Sequence, residues 1–334
     1  MPSFASRAAM VPVTRRVRAY FAPVDRASQT PTIFDPGKYG IFPLDSPPAP
    51  WLDLGWIENF ARCSLTPSEP VRAGIRGAPA GQFRGSLEAR VEFQFREWGK
   101  LQMALAGGSE HLNVLASDPN ATAQPSGGTP LSAVAVLPGS SSREVIVGAG
   151  AVASFSPGDM IAVDAGYQQQ TGYVGAGIAA AYVADPAAVN RDPDYVRRVT
   201  FNLGRVEQLT ATSLLLAQPL LGGAPASGWG VQKVVAFVDR EGGSFFQEWS
   251  ALFVAENESG GRICLHYPRL SSASPARASS AAILEREQSV EITRPISALA
   301  LRAAFLAMPY TDENDGQIAV CYRSYFPAMM AALY

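Results

Sequence analysis

Histidine and cysteine are scarce in this chain: His111 and His266, and Cys63, Cys264 and Cys321, are all it has in 334 residues. With two imidazoles, a Ser-His-Asp triad would have to use His111 in GGSEHLNVL or His266 in RICLHYP, and neither has a visible partner in the sequence. The cysteines are odd in number, far apart and without a CxxC pair. That excludes a disulfide framework or a zinc ribbon and predicts buried free thiols in a reducing compartment. Cys264 and His266 are two residues apart and share one face of a strand, but no further ligands cluster near them, so they read as packing residues. The phosphate loop, H-E-x-x-H and G-x-S-x-G are all missing, and Gly148-Ala149-Gly150 and Gly175-Ala176-Gly177 lack the third glycine of a dinucleotide fingerprint. Asp312 to Gly316, DENDG, is a turn without calcium-loop spacing, and Asp239 with Glu241 falls in the turn-like VDREGG. No cofactor, metal or catalytic residue is expected.

Charge is thin as well. Asp, Glu, Lys and Arg make up 17% of the chain, against about a quarter in ordinary soluble proteins, and the net charge is -2. Such a balance generates no strong field for nucleic acid or an anionic membrane. The deficit of charge predicts surface that other subunits cover. No apolar run approaches the length of a bilayer-spanning helix, which predicts no membrane partner. The N-terminus MPSFASRAAMVPVTRRVRAYF carries basic residues but no continuous apolar core, so it does not read as a secretory signal.

What the chain does have is apolar residues (47%), glycine (30) and proline (26), the last two gathered in turn-like clusters that favour strands and loops over helices. The length suits two ordinary domains or one with a large insertion. Residues 1–50 are Pro-rich and read as an extended arm. Its Val17, Tyr20, Phe21, Phe34, Tyr39 and Phe42 are too large and apolar to stay in water, and they pack either on a neighbouring subunit or on their own domain. The expectation carried forward is contact between subunits. Residues 51–155 and 226–334 form a β domain. Residues 156–225, set off by a composition shift at Phe155 and by short segments about ten residues apart, form an inserted small β-barrel-like subdomain.

Residues 86–108, SLEARVEFQFREWGKLQMALAGG, are the most informative stretch. Leu87, Ala89, Val91, Phe93 and Phe95 fall on one side of a strand, and Glu88, Arg90, Glu92, Gln94 and Arg96 on the other. The period then changes: Trp98, Leu101 and Leu105 follow helical spacing, and Gly107-Gly108 stops the helix. The predicted core of this strand and helix is therefore Leu87, Val91, Phe93, Phe95, Trp98, Leu101 and Leu105. A strand wet on one face and dry on the other suits the wall of a channel as well as an ordinary sandwich.

The phrase DLGWIENF, then a strand and a Gly/Pro-rich loop, then LEARVEFQFREWGKLQMALAGG, resembles the tail tube (major tail) proteins of tailed bacteriophages. Asp53, Leu54, Gly55 and Trp56 carry the match, followed by Glu97, Trp98, Leu101, Gln102, Leu105 and Gly107. It spans roughly 51–108, less than a fifth of the chain. The resemblance implies a mainly β protein, a β-sandwich or barrel with a short packing helix. Six-fold rings of such subunits would stack into a tube that conducts double-stranded DNA without binding it specifically. It further implies a virion tail protein, assembled in the host cytoplasm with other tail proteins and lacking enzymatic activity. Glu88, Arg90, Glu92, Gln94 and Arg96 would face the lumen, where mixed charge avoids holding phosphate. The alternatives are another ring of a phage tail or injection system (a terminator, a baseplate ring, a contractile tube) or a carbohydrate-binding β-sandwich.

Overall fold

The computed structural model describes residues 16–66, 68–73, 78–84, 87–120, 129–165, 180–182, 189–242, 245–257, 260–273 and 301–327. The chain opens with β1 (Val17–Pro23) and α1 (Pro36–Tyr39), whose amides at Gly37 and Lys38 are capped by the Asp35 carboxylate. A long ribbon follows. β2 (Leu52–Leu65) and β3 (Ser68–Ala73) run out, and β4 (Ala78–Arg84) and β5 (Glu88–Phe95) run back. Next is α2 (Lys100–Gly107), closed by Gly108 at φ +59°, a left-handed conformation that favours glycine. Then come β6 (Glu110–Leu115), β7 (Val134–Ala135), β8 (Glu144–Ile146), α3 (Ala149–Val152), β9 (Met160–Asp164) and β10 (Ala180–Tyr182). A π-turn (Arg197–Phe201), β11 (Leu203–Leu209), β12 (Ser213–Leu216) and β13 (Gly230–Arg240) complete this middle part. β14 (Glu248–Glu256), β15 (Arg262–Ser272), β16 (Leu301–Ala307), the small hairpin of β17 (Tyr310–Thr311) and β18 (Ile318–Ala319), and β19 (Tyr322–Phe326) end the described chain.

The protein is mainly β, and six antiparallel strands close into a barrel in the order β14-β1-β2-β5-β16-β15, with β15 returning to β14. Closure leaves every strand one face for the interior. On β5 that face is Ala89, Val91, Phe93 and Phe95, all at 3% exposure or less. Phe21, Phe93, Phe253 and Phe305 meet across the interior, with ring centroids 5.4 to 6.4 Å apart. Leu101 and Leu105 of α2 join the same core, with Leu112, Tyr195, Val196 and Val199, at the end where β5 leaves. Among the described residues, side chains from all six strands fill the barrel interior.

Two residues of the expected core lie elsewhere. Leu87 is 44% exposed because it precedes the first β5 residue paired with β16, Ala89, where the ribbon leaves the barrel. Trp98 is 49% exposed because it sits in the bend before α2 begins, so helical spacing does not govern it.

The arm is also corrected. β1 is a barrel strand between β14 and β2, with Val17 and Phe21 inside and Tyr20 on the outer face. The chain from Val24 to Trp51 folds back over the outside of β1, β14 and β15. There Phe34, Phe42 and Trp51 bury against Tyr20, Leu252, Val254 and Cys264, and Tyr39 stacks on Phe34 at 5.7 Å. These side chains are consumed by their own subunit. The remainder of the arm, residues 1–15, lies outside the described residues.

Strand pairing also redraws the insertion. Strands from β6 to β13, residues 110–240, form one sheet apart from the barrel, so the inserted unit is larger than 156–225 and begins well before the composition shift. Within it β7, β13, β9, β11, β12 and β8 wrap a second core of Val145, Ile161, Val163, Val206, Leu214 and Leu216. The Leu137 amide donates to the Ile146 carbonyl at 2.8 Å and joins the two ends of that wrap. Gly204 lets β11 approach Leu216: a Cβ there would stand 2.8 Å from Leu216 Cδ1.

Candidate functional surface and the buried polar junction

β5 presents its polar residues on the outside of the barrel. Glu88, Arg90 and Arg96 are exposed, and Glu92 and Gln94 are half-buried. Register extends this face sideways: Gln94 lies opposite Glu58 of β2 and Arg302 of β16, and Arg96 pairs with Glu58 at 3.1 Å. Asn59, at φ +53° in a β2 bulge, donates to Gln94 at 3.0 Å. The face thus carries three carboxylates, Glu58, Glu88 and Glu92, and three guanidiniums, Arg90, Arg96 and Arg302. Both members of the Arg96–Glu58 pair are more than half exposed, so it contributes little stability. β2 pairs with β1 only as far as Ile57. Beyond that point, among the described residues, no strand lies on the second edge of β2.

A second concentration of polar groups is buried where α2, β6 and the π-turn meet. Lys100 donates to Asn113 Oδ1 and to the Val199 carbonyl, and its Nζ lies 4.6 Å from the Phe237 ring centre. With no carboxylate on it among the described residues, burial pushes the Lys100 ammonium well below its ordinary pKa. Tyr195 Oη donates to the His111 carbonyl at 2.6 Å and accepts the His111 amide at 2.9 Å. His111 Nε2 contacts Thr200 Oγ1 at 3.1 Å, and burial, aided by Lys100, holds this imidazole well below its ordinary pKa. On the insert side the fully buried Asp164 receives Arg197 through two nitrogens, at 2.9 and 3.2 Å, and Asn202 at 3.1 Å. Arg198 pairs with Asp192. The π-turn supplies Arg197, Arg198, the Val199 carbonyl and Thr200 to this network, which locks the insert to the barrel end.

His266 is equally committed. Its Nε2–H donates to the Thr32 carbonyl at 3.2 Å, its ring stacks on Tyr322, and burial lowers its pKa to about 4. Cys264, beside it on β15, is raised to about 12 by burial, which leaves a thiol rather than a nucleophilic thiolate. Both histidines are neutral near pH 7, and His111 is engaged with the Thr200 and Tyr195 hydroxyls. Among the described residues no three His, Cys, Asp or Glu side chains converge as metal ligands. No described helix is long and apolar enough to cross a membrane.

The sequence reading placed the alternating face correctly on β5 but missed Lys100. A lysine directly after a glycine and before the helix's apolar positions looks solvated, and nothing in its neighbourhood signals burial. No protein-family model matches this chain, and no curated protein does.

Proposed function

We propose that this chain is a structural subunit of a bacteriophage tail tube, forming stacked six-fold rings around a lumen that passes double-stranded DNA. The observation that carries the reading is the β2–β5 ribbon. It offers a polar outer face of balanced charge and, from Glu58 to Leu65, a strand edge with no partner among the described residues. Such an edge invites a strand from another chain. A filled barrel cannot conduct anything, so a channel would have to arise between subunits. The equal numbers of carboxylates and guanidiniums on β5 and its neighbours suit a wall that DNA slides past, because a basic wall would hold phosphate. The resemblance over residues 51–108 supports the same assignment, under which the protein would stand in the virion tail after assembly in the host cytoplasm.

Negative-stain microscopy of the purified full chain, with light scattering across a concentration series, tests it. Rings or tubes with a central channel are expected. A strict monomer at every concentration, with no rings in a lysate of infected cells, would rule the assignment out.

A further inference from the structure

β1 and β2 separate at one place. Val17 is paired on both sides, with Ile57 of β2 and with Ala255 of β14. Arg16, just before it, is the first described residue. β2 nevertheless runs on from Glu58 to Leu65. One edge of this stretch follows β5, and the other has no partner among the described residues. Backbone donors and acceptors left open along an outer strand are a template for one more strand.

The chain's own N-terminal segment stands at the head of that edge. β1 is antiparallel to β2, so a continuation of β1 backwards from Val17 would run the way β2 runs past Ile57. Carried back one residue, the two registers would set Arg16 between Glu58 of β2 and Glu256 of β14, a cation between two carboxylates. Residues 9–15, AMVPVTR, would then lie along Asn59 to Leu65, a stretch of equal length. Val11, Val13 and Thr14 favour strands. Pro12 is unsuited to a central strand but tolerated on an outermost one, where it blunts pairing with anything further out. The segment is joined directly to β1 and reaches the edge with no loop to close, whereas a strand from elsewhere must first be brought there.

We infer that residues 9–15 add to β2 as a continuation of β1 in the same subunit and close this edge while the subunit is free. The inference goes beyond the tube reading. The edge which that reading offers to another chain would be guarded until an incoming strand displaces the segment.

Hydrogen exchange read by mass spectrometry tests it on the full chain, on a chain lacking residues 1–15, and on the full-length Val13→Pro, Thr14→Pro variant. Two successive prolines remove the backbone donor on either side of the segment, whichever side faces β2. Exchange across Asn59 to Leu65 should be about tenfold slower or more in the full chain than in either altered chain, at every protein concentration. Circular dichroism checks that each is folded, and the proline variant carries the test if the truncated chain is not. Cys63, exposed on β2, reports which copy supplies the strand. The bulge at Asn59 shifts the register by one residue and would bring Pro12 opposite Cys63, within disulfide reach. On oxidation, Pro12→Cys should join Cys63 within one chain, which stays monomeric on a non-reducing gel. Equal exchange in the full and altered chains would overturn the inference. So would a disulfide that links two chains, which would give the edge to a neighbouring copy. Neither readout requires a ring, so the tube reading stands or falls separately by microscopy.

Discussion

Phe93 of β5 and Phe305 of β16 stack inside the barrel with ring centroids 5.8 Å apart and planes 18° from parallel. The two strands are neighbours, so the stack clamps the pair that flanks the ribbon. Phe93 also meets Phe21 and Phe253 from β1 and β14, so one ring touches three other barrel strands.

Phe93→Ala should therefore leave a cavity at the centre of the barrel and cost about 3 to 5 kcal/mol. Urea denaturation followed by circular dichroism measures it. A loss below about 1 kcal/mol would mean that the interior collapses around the gap or is not packed as described.

Glu92→Lys, on the opposite face of the same strand, should change stability by no more than about 0.5 kcal/mol, because a half-exposed side chain outside the core tolerates exchange. Under the tube assignment each ring would gain a belt of positive charge. Genome ejection should then slow in low salt and recover as salt is raised. A variant phage that ejects at the normal rate in low salt would remove Glu92 from the lumen.

His266 gives the fold an acid limit. Its folded-state pKa of about 4 lies below the ordinary value of 6.5, so the unfolded chain binds a proton first as pH falls. Stability from this group is complete above pH 6.5 and is lost between there and about pH 4, up to about 3 kcal/mol. His111, displaced in the same direction, adds to the loss. Urea midpoints at a series of pH values should fall through this window, and His266→Phe should flatten the fall. An unchanged slope in the variant would contradict the buried, neutral imidazole.

Lys100 acts at the alkaline end. Its folded-state pKa is depressed, so below pH 10.5 the unfolded chain holds the extra proton and stability rises with pH. The wild type should gain stability between pH 7 and 10, and Lys100→Met should lose that dependence. The measurement is the pH slope, which a general loss of packing would not alter.

Truncation separates the two parts of the arm. Deleting residues 1–15 should leave a folded subunit. Deleting residues 1–45 removes β1 and the aromatic cover of Phe34 and Phe42, and should abolish cooperative unfolding. A folded product of the longer deletion would show that the barrel closes without β1.

Legibility in the sequence followed burial. β5 announced itself because one face is buried and the other is not, so its period of two survives in the residue types. β14 reads as a strand candidate with poor alternation, FFQEWSALFVAEN, because all of Glu248 to Ala255 is buried and no period of two remains in the residue types. The arm's aromatics correctly signalled packing, but composition cannot say whose surface they meet. The insert's first strands share the composition of the barrel strands before them, which hid its true start near Glu110. The polar junction was invisible because it joins residues about a hundred positions apart, such as Lys100 and Val199.

β13 has eleven residues and two partners within the insert sheet: Gly230 to Val234 pairs with β9, and Val234 to Arg240 with β6. At about 3.3 Å per residue it forms a rod roughly 36 Å long. One continuous strand thus braces the insert sheet from the β9 side to β6, the strand that follows α2. A load along this strand would have to shear a ladder of hydrogen bonds together, so the insert sheet would yield as one unit and not strand by strand.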